Sequence, residues 1–348
     1  MSDAQIRWLE RGIAAVALLL VAFAPLIFSD YFVDAVLTQT LWLGVAAASL
    51  IFLSAYGGMV SLGQVALYGI AGFALGNMVA KEGSRGLQLG WDPWTAVIVA
   101  ILIATAVGFV FGAVASRTVG IYFLMLTLVY SVIVYYFFGQ VADLSGFGGV
   151  QVTRFPGIVG NPAEDPKRLF YVCLVVALAV YVLIRLIVRT PFGVALQGVR
   201  DDPVRMSSLG YNVPLHRTLA FTFGAFIAAL AGILSAWFDG LVAPSSIGLG
   251  QTINVLVVAV IGSLYRIEGA WVGAFAFVLI STYVRDVELP LVGGSFNTIV
   301  GLVFLAIVLV SPDGLIGLWE RALALTRGRQ PGSSRGRAVE ARPAEPGA

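Results

Sequence analysis

Few side chains in this chain are equipped for covalent chemistry. Its one cysteine, Cys173, lies inside an apolar run, and its one histidine, His216, stands beside Arg217. A lone thiol excludes a disulfide framework, and one cysteine with one histidine leaves too few ligands for a protein-only zinc site. There is no HExxH or GxSxG, and no histidine or aspartate inside an apolar run to activate a serine. No Gly-Lys pair occurs, so a phosphate-binding loop of the nucleotidase kind is excluded. No catalytic residue, cofactor or metal is therefore expected. What is left is uncharged polar chemistry. Ser61, Gln64, Tyr68, Thr127, Gln251 and Asn254 interrupt otherwise apolar runs. Their hydroxyls and amides suit a few hydrogen bonds to a small zwitterion against an apolar wall; equally, they suit hydrogen bonds between neighbouring helices.

Composition says what holds these residues. The 348 residues are 59% hydrophobic and only 11% charged, whereas a soluble domain is about a quarter charged. Apolar runs cover residues 12–28, 36–54, 60–80, 94–115, 119–139, 169–188, 218–238, 250–264, 269–285 and 296–312. A helical crossing takes about 20 residues, and these runs are continuous instead of alternating, which points to helices and not barrel strands. The expectation is an all-α integral membrane protein with about ten transmembrane helices, between eight and ten, in one domain over residues 1–317. The third run, with Gly63, Gly69, Gly72 and Gly76, and the short eighth are the least regular. Each reads as a full span or as a broken, re-entrant helix buried among its neighbours.

One polar stretch stands out. Residues 189–217, RTPFGVALQGVRDDPVRMSSLGYNVPLHR, place five arginine or histidine side chains and two aspartates between long apolar runs, so they must lie in water. Pro191 opens a first helix with Val194, Ala195, Leu196 and Val199 on one side. Asp201-Asp202-Pro203 reads as a cap followed by proline at the first helical position. A short second helix follows, and Gly210 is placed to stop it in a left-handed cap. Such a pair, with apolar Val204, Met206 and Leu209 among its charges, is built to meet another protein; the bland alternative is a solvated loop. The candidate contact residues are Gly193, Ala195, Arg200, Asp201, Asp202, Arg205, Met206, Leu209 and Gly210, with Met206 and Leu209 as inserted anchors and the charges at the ends and rim.

With that segment in the cytoplasm, alternation sends both termini there. Fifteen cations then lie inside (Arg7, Arg11, Arg117, Arg185, Arg189, Arg200, Arg205, Arg217, Arg266 and six in the tail), against six outside: Lys81, Arg85, Arg154, Lys167, Arg168 and Arg285. The N-terminal run, with Asp3 and Glu10 beside Arg7 and Arg11, reads as a retained span in place of a cleaved signal. Residues 318–348 form a cytoplasmic tail too polar to bury a core, expected to be largely disordered, with arginines available to anionic lipid. On the outer side, residues 81–93 and 140–168 are long enough to receive a partner.

Small residues recur four apart at Gly72/Gly76, Gly108/Gly112, Ala228/Gly232 and Gly269/Gly273, a spacing that lets helices approach closely in lipid. Leu62-Gly-Gln64 recurs as Leu249-Gly-Gln251, each heading the second span in a set of four, which is the arrangement of an inverted repeat. No run carries a charge near its middle. An ion-coupled carrier ordinarily keeps such a charge despite a cost of about 2.5–3.5 kcal/mol.

Several motifs carry a resemblance: Arg189-Thr-Pro-Phe-Gly193, Ala195-Leu-Gln-Gly-Val-Arg-Asp-Asp-Pro203 and Leu209-Gly-Tyr-Asn-Val213. With them go Gly58-Met-Val-Ser-Leu-Gly-Gln64 followed by Gly69, Gly120-Ile-Tyr-Phe-Leu-Met-Leu-Thr127, Leu144-Ser-Gly-Phe-Gly-Gly149 and Ser311-Pro-Asp-Gly-Leu-Ile-Gly317. Together they resemble the permease subunits of branched-chain amino-acid ABC importers, the M-type most of all. One departure is Gly262-Ser-Leu-Tyr-Arg-Ile-Glu-Gly269-Ala270, which lacks two glycines and a proline usual in that family ahead of span nine. The resemblance implies a type II-like ABC importer fold in a bacterial inner membrane. It implies a second homologous permease, two ATP-binding subunits that dock on the 189–217 segment, and an outer solute-binding protein; membrane lipid is the remaining partner and nucleic acid is not one. The cargo implied is leucine, isoleucine, valine or a related small neutral solute. The rival class is a self-sufficient secondary transporter or channel for small neutral solutes.

Overall fold

The computed structural model describes residues 23–25, 28–81, 86–145, 148–160, 162, 165–284 and 301, 302, 305, 314, 315 and 317. Most of the first and last apolar runs and the 318–348 tail lie outside the described residues. The chain folds into helices α1 (Asp30–Gly57), α2 (Gln64–Val79), α3 (Pro93–Ala115), α4 (Ile121–Gln140), α5 (Pro166–Arg189), α6 (Pro191–Asp201), α7 (Pro203–Ser208), α8 (Val213–Asp239), α9 (Leu249–Gly262) and α10 (Gly269–Val284). Two-residue strands β1 (Val150–Gln151) and β2 (Leu241–Val242) pair antiparallel, Val150 opposite Val242. This is an all-helical membrane architecture apart from that ladder, which sequence reading does not anticipate.

Five helices, α1, α3, α4, α5 and α8, are long and apolar enough to cross a bilayer. They divide by burial: 89% of the α1 span and 72% of the α8 span lie inside the protein, against 22–33% for α3, α4 and α5. Helices apolar all round belong in the interior or in lipid, and here both fates occur. In α3 a four-residue repeat of small side chains, Ala96, Ala100, Ala104, Gly108 and Gly112, is buried, while Ile98, Leu102, Phe109 and Val110 face outward.

That stripe packs on α8, which also packs on α1 and α2. The contacts run at backbone distance. A Cβ built on Gly108 would stand 2.2 Å from Ala225 Cβ, and one on Gly232 would stand 2.1 Å from the Tyr68 carbonyl oxygen. The four-apart small pairs of the sequence therefore sit at close approaches: Gly112 meets Phe221, Gly76 meets Val150, and Gly273 meets Val258.

The two ends of the bundle are distinguishable. Gly112 lies against Thr218 near the start of α8, and Glu268 pairs with Arg185 near the end of α5. The turns 116–120, 190–212 and 263–268 thus share one end. At the other, Lys167 pairs with Asp30 at 2.9 Å, Thr153 donates to the Val79 carbonyl, and β1 meets β2. Asn77, at the same end, donates to the Phe73 and Leu144 carbonyls and accepts from Leu87 N, tying three segments together.

Irregularity falls where the sequence expects it. Helices α2 and α9 have only 16 and 14 residues, short of the roughly 20 a crossing takes. Each is preceded by a break in the α-helical structure, 58–63 and 240–248, the second holding β2 and a 3-10 turn at Pro244–Ile247, that reaches into the protein: Ile247 sits where Gly69 has no side chain, and Ser61 is fully buried.

Overpacking an interior contact typically costs about 1–3 kcal/mol, and at Gly232 the obstacle is backbone that cannot swing aside. Gly232→Val is expected to lower the thermal unfolding midpoint of the detergent-solubilised protein, while Val110→Leu, on the outer face of α3, leaves it unchanged.

Candidate functional site

Two groups of residues are built by this fold. The first surrounds the 58–63 break. Gly58 ends α1 with φ +65°, a left-handed value open to glycine at little cost. Beyond it the chain is held by side chains from α4: Leu62 N donates to Thr127 Oγ1 at 3.1 Å, and Ser131 Oγ donates to the Leu62 carbonyl at 2.7 Å. Ser61 Oγ accepts from Gly63 N at 3.2 Å and lies 3.5 Å from Gln64 Nε2. Gln64 is 2% exposed, yet its Oε1 has no hydrogen-bond partner among the described residues. It lies instead toward Gly224 of α8. A buried amide oxygen left unpaired is costly, about 1–3 kcal/mol. One turn along α2, Tyr68 stacks on Trp42 with ring centroids 6.2 Å apart, and the Trp42 indole nitrogen is likewise buried and unpaired among the described residues.

Ser61, Gln64 and Thr127 thus share one cluster, with Tyr68 beside it on the same helix. Gln251 and Asn254 form a separate pair on the first turns of α9, where Asn254 Nδ2 donates to Gln251 Oε1 at 3.4 Å. No hydrogen bond joins the two sets among the described residues.

The second group is the α6–α7 pair. Thr190 caps α6, accepting from Gly193 N, with Pro191 at the first helical position. Gly193 turns tightly on α5, since a Cβ there would stand 2.2 Å from the Ile187 carbonyl oxygen. Ala195, Leu196 and Val199 are buried against the bundle. Asp202 Oδ1 accepts from Arg205 N at 2.9 Å and so caps α7, while Asp201 belongs to the end of α6. Leu209 is the C-cap of α7 and Gly210 comes next at φ +89°. The expected cap, proline and glycine stop are all present. Met206 behaves otherwise than the sequence suggests. It folds back onto α6, where a Cβ on Gly198 would stand 2.9 Å from its sulfur. The apolar side chains facing out are Val204, 76% exposed, Leu209, 66% exposed, and on α6 Val194, 61% exposed, which does not share the buried side of Ala195, Leu196 and Val199 that the sequence pattern assigns it. Arg205 and Asp202 are exposed beside them; Arg200, also exposed, lays its guanidinium back on the end of α1, where Nη1 donates to the Ala55 carbonyl.

A family of permease components of branched-chain amino acid transport systems matches residues 32–311. The chain belongs to this family. The M-type permease LivM of the high-affinity branched-chain amino acid system of Escherichia coli K12 is 26% identical, over 91% of this chain and 77% of its own length. The LivH permease of that system in the same organism is 27% identical over 75% of this chain and 86% of its own length. The autoinducer 2 import permease LsrC of Klebsiella pneumoniae is 33% identical over 42% of this chain and 44% of its own length. No solved structure matches.

As a permease component, the chain can be read for residues that local sequence does not reveal. Ser131 was hidden because its partner is the Leu62 carbonyl, 69 residues away. Trp42 was hidden because a tryptophan in an apolar run reads as packing. The permease keeps its charges near helix ends, and Arg185 and Glu268 neutralise one another with Tyr181 between them, accepting from Arg185 Nε at 3.2 Å and donating to Glu268 Oε1 at 3.1 Å.

Removing an N-cap costs about 1 kcal/mol, roughly fivefold in a local opening equilibrium. Asp202→Ala is expected to speed amide hydrogen exchange across residues 203–209 by about that factor, with α8 peptides unaffected.

Proposed function

We propose that this permease is the M-type membrane subunit of an ABC importer that moves branched-chain amino acids, or related small neutral solutes, inward across a bacterial plasma membrane. The observation that carries the reading is the α6–α7 pair: proline-started, capped at both ends and presenting Val204 and Leu209 to water at one end of a bundle of apolar helices. A rigid apolar projection of that kind is a docking element, and its occupant on this reading is one of two ATP-binding subunits. A second homologous permease completes the membrane part. A solute-binding protein delivers cargo to the opposite end, where residues 141–145, 148–160 and 240–248 gather.

The type II-like arrangement is then ten spans: the eight helices α1–α5 and α8–α10, with residues 12–28 and 296–312 supplying two more and both termini cytoplasmic. An inverted repeat is supported by Gln64 heading α2 from the α6–α7 end while Leu249 heads α9 from the other. Helix α2 begins inside the protein, as discontinuous helices do where they line a cavity, whereas the first residues of α9, Leu249 and Gly250, are exposed just after the buried Ile247. Cargo passes Ser61, Gln64, Tyr68, Thr127, Gln251 and Asn254, and the unpaired Gln64 Oε1 supports a polar group arriving there. The likeness to an autoinducer 2 permease fits a scaffold whose selectivity is set largely outside it.

An interface anchor is worth about 2 kcal/mol or more, roughly thirtyfold in affinity. Leu209→Asp and Val204→Asp are therefore expected to remove the ATP-binding subunits on co-purification and to abolish uptake, with the permease still inserted and paired. Arg217→Ala, beside the membrane, leaves docking intact. Uptake into vesicles holding this chain alone, without ATP-binding subunits, would overturn the proposal.

A companion test reads the pathway. In a Cys173→Ser background, Gln64→Cys is expected to change its labelling by an aqueous thiol reagent when ATP is added to the full complex; uniform protection in every state would assign Gln64 to packing alone.

A further inference from the structure

Arg200 is the basic residue in the last turn of α6, and it does not point toward the exposed face of the helix pair. Its stem lies across Gly58, where a Cβ would stand 2.6 Å from Arg200 Cγ. Its Nη1 donates to the Ala55 carbonyl of α1, one of the acceptors that the end of a helix leaves without an intrahelical donor. The other face of the guanidinium is fixed by Asp201, whose Oδ1 accepts from Nε at 2.8 Å and lies 2.7 Å from Nη2. The charge suits the negative end of the α1 dipole, and the planar fork serves two acceptors at once, which a lysine cannot do.

The residues immediately after α1 make this contact more than a cap. Three residues beyond Gly58 is Ser61, then Leu62, pinned through both its N–H and its carbonyl to Thr127 and Ser131 of α4. Gln64, with its unpaired oxygen, stands two residues further on. A short covalent path thus leads from the guanidinium to the 58–63 break. In the other direction, Arg200 is separated from the Asp202 cap of α7 only by Asp201.

We propose that Arg200 is the positioning residue that links movement of the α6–α7 pair to the 58–63 break, by holding the C-terminal end of α1 through Ala55 and Gly58. The inference rests on the reading of α6–α7 as an ATPase-docking element. Because Gly58 admits the arginine stem only for want of a side chain, the link is a fitted contact between elements 145 residues apart, distinct from the outward docking face formed by Val204 and Leu209.

The test uses the complete importer in proteoliposomes, with its second permease, ATP-binding subunits and binding protein, and reads solute moved per ATP hydrolysed. Energetic coupling between sites typically amounts to about 5–150-fold. Arg200→Ala is expected to lower this ratio about tenfold or more, and Arg200→Lys to lower it less, since it keeps the charge but reaches one acceptor at a time. Arg117→Ala, exposed in the turn after α3 at the same end of the bundle, leaves the ratio as it is. A second readout is independent of turnover: in a Cys173→Ser, Ser61→Cys chain, the change in thiol labelling on adding ATP disappears when Arg200 is replaced by alanine and is reduced when it is replaced by lysine. A ratio and a labelling change that survive both substitutions would overturn the link. Loss of the ATP-binding subunits from both Arg200 variants would also overturn it, by making Arg200 part of docking. Failure of the docking reading shows up separately, as Leu209→Asp complexes that keep their ATP-binding subunits.

Discussion

The approach of α8 to its neighbours at backbone distance is the constraint on which the other features depend. In lipid there is no solvent-driven gain from bringing two apolar helices together, so association relies on close packing and a few hydrogen bonds. Helix α8 meets α1, α2 and α3 through small residues, among them Gly224, Ala225, Ala228 and Gly232. A larger side chain at Gly232 would strike the Tyr68 carbonyl, and the displacement would pass along α2 to its first turn. The position of Gln64 against Gly224 is thus a consequence of how closely α8 and α2 can come. The same helix begins directly after α7, so one rigid element bears on both the polar break and the exposed helix pair.

Around this tightly packed axis the protein leaves a small number of polar atoms uncommitted. Thr127 and Ser131 are spent on the backbone of Leu62, and Asn77 on three segments at the far end. Gln64 Oε1 and the Trp42 indole nitrogen are buried without partners among the described residues. Native interiors pair nearly all such groups, so the exceptions mark places where the fold tolerates a cost. These two lie on facing helices, Gln64 on the first turn of α2 and Trp42 on α1 where it stacks on Tyr68, while others are at Thr105, Arg217, Trp237 and Trp271. A transport pathway needs surfaces that hold a solute weakly and let it leave, and unpaired hydrogen-bonding atoms in an apolar wall have that character.

The range of each interaction decides how much of it was legible in the sequence. Local chemistry reads well: Asp202 before Pro203 caps α7, Gly210 stops it, and the glycines of the third run mark a helix of only 16 residues with an irregular approach. Those depend on residues within a few positions of one another. Four-residue spacing of small side chains also announced close approaches, though not to which helix, because spacing fixes a face and not its partner. The β1–β2 ladder, the turn of Met206 onto Gly198 and the reach of Arg200 to Ala55 were not legible. Each depends on where tertiary packing brings a second element, and an arginine in a polar loop carries no mark that separates a rim charge from an internal strut.

The distribution of charge says how such a scaffold can be driven. The carboxylate and guanidinium groups Asp34, Arg185, Arg217 and Asp239 of α1, α5 and α8 stand within about a turn of the helix ends, with Arg185 neutralised by Glu268. A carrier that draws on an ion gradient needs a group that gains or loses a charge within the pathway, and the cluster at 58–64 offers only hydroxyls and an amide. On the proposed reading, movement there is imposed mechanically through elements stiff enough to transmit it. Stiffness is what the opposite charge pattern supplies at the α6–α7 end, where Thr190, Asp202 and Asn212 each cap a helix started by a proline in its first turn, and where one guanidinium joins that assembly to the last turn of α1.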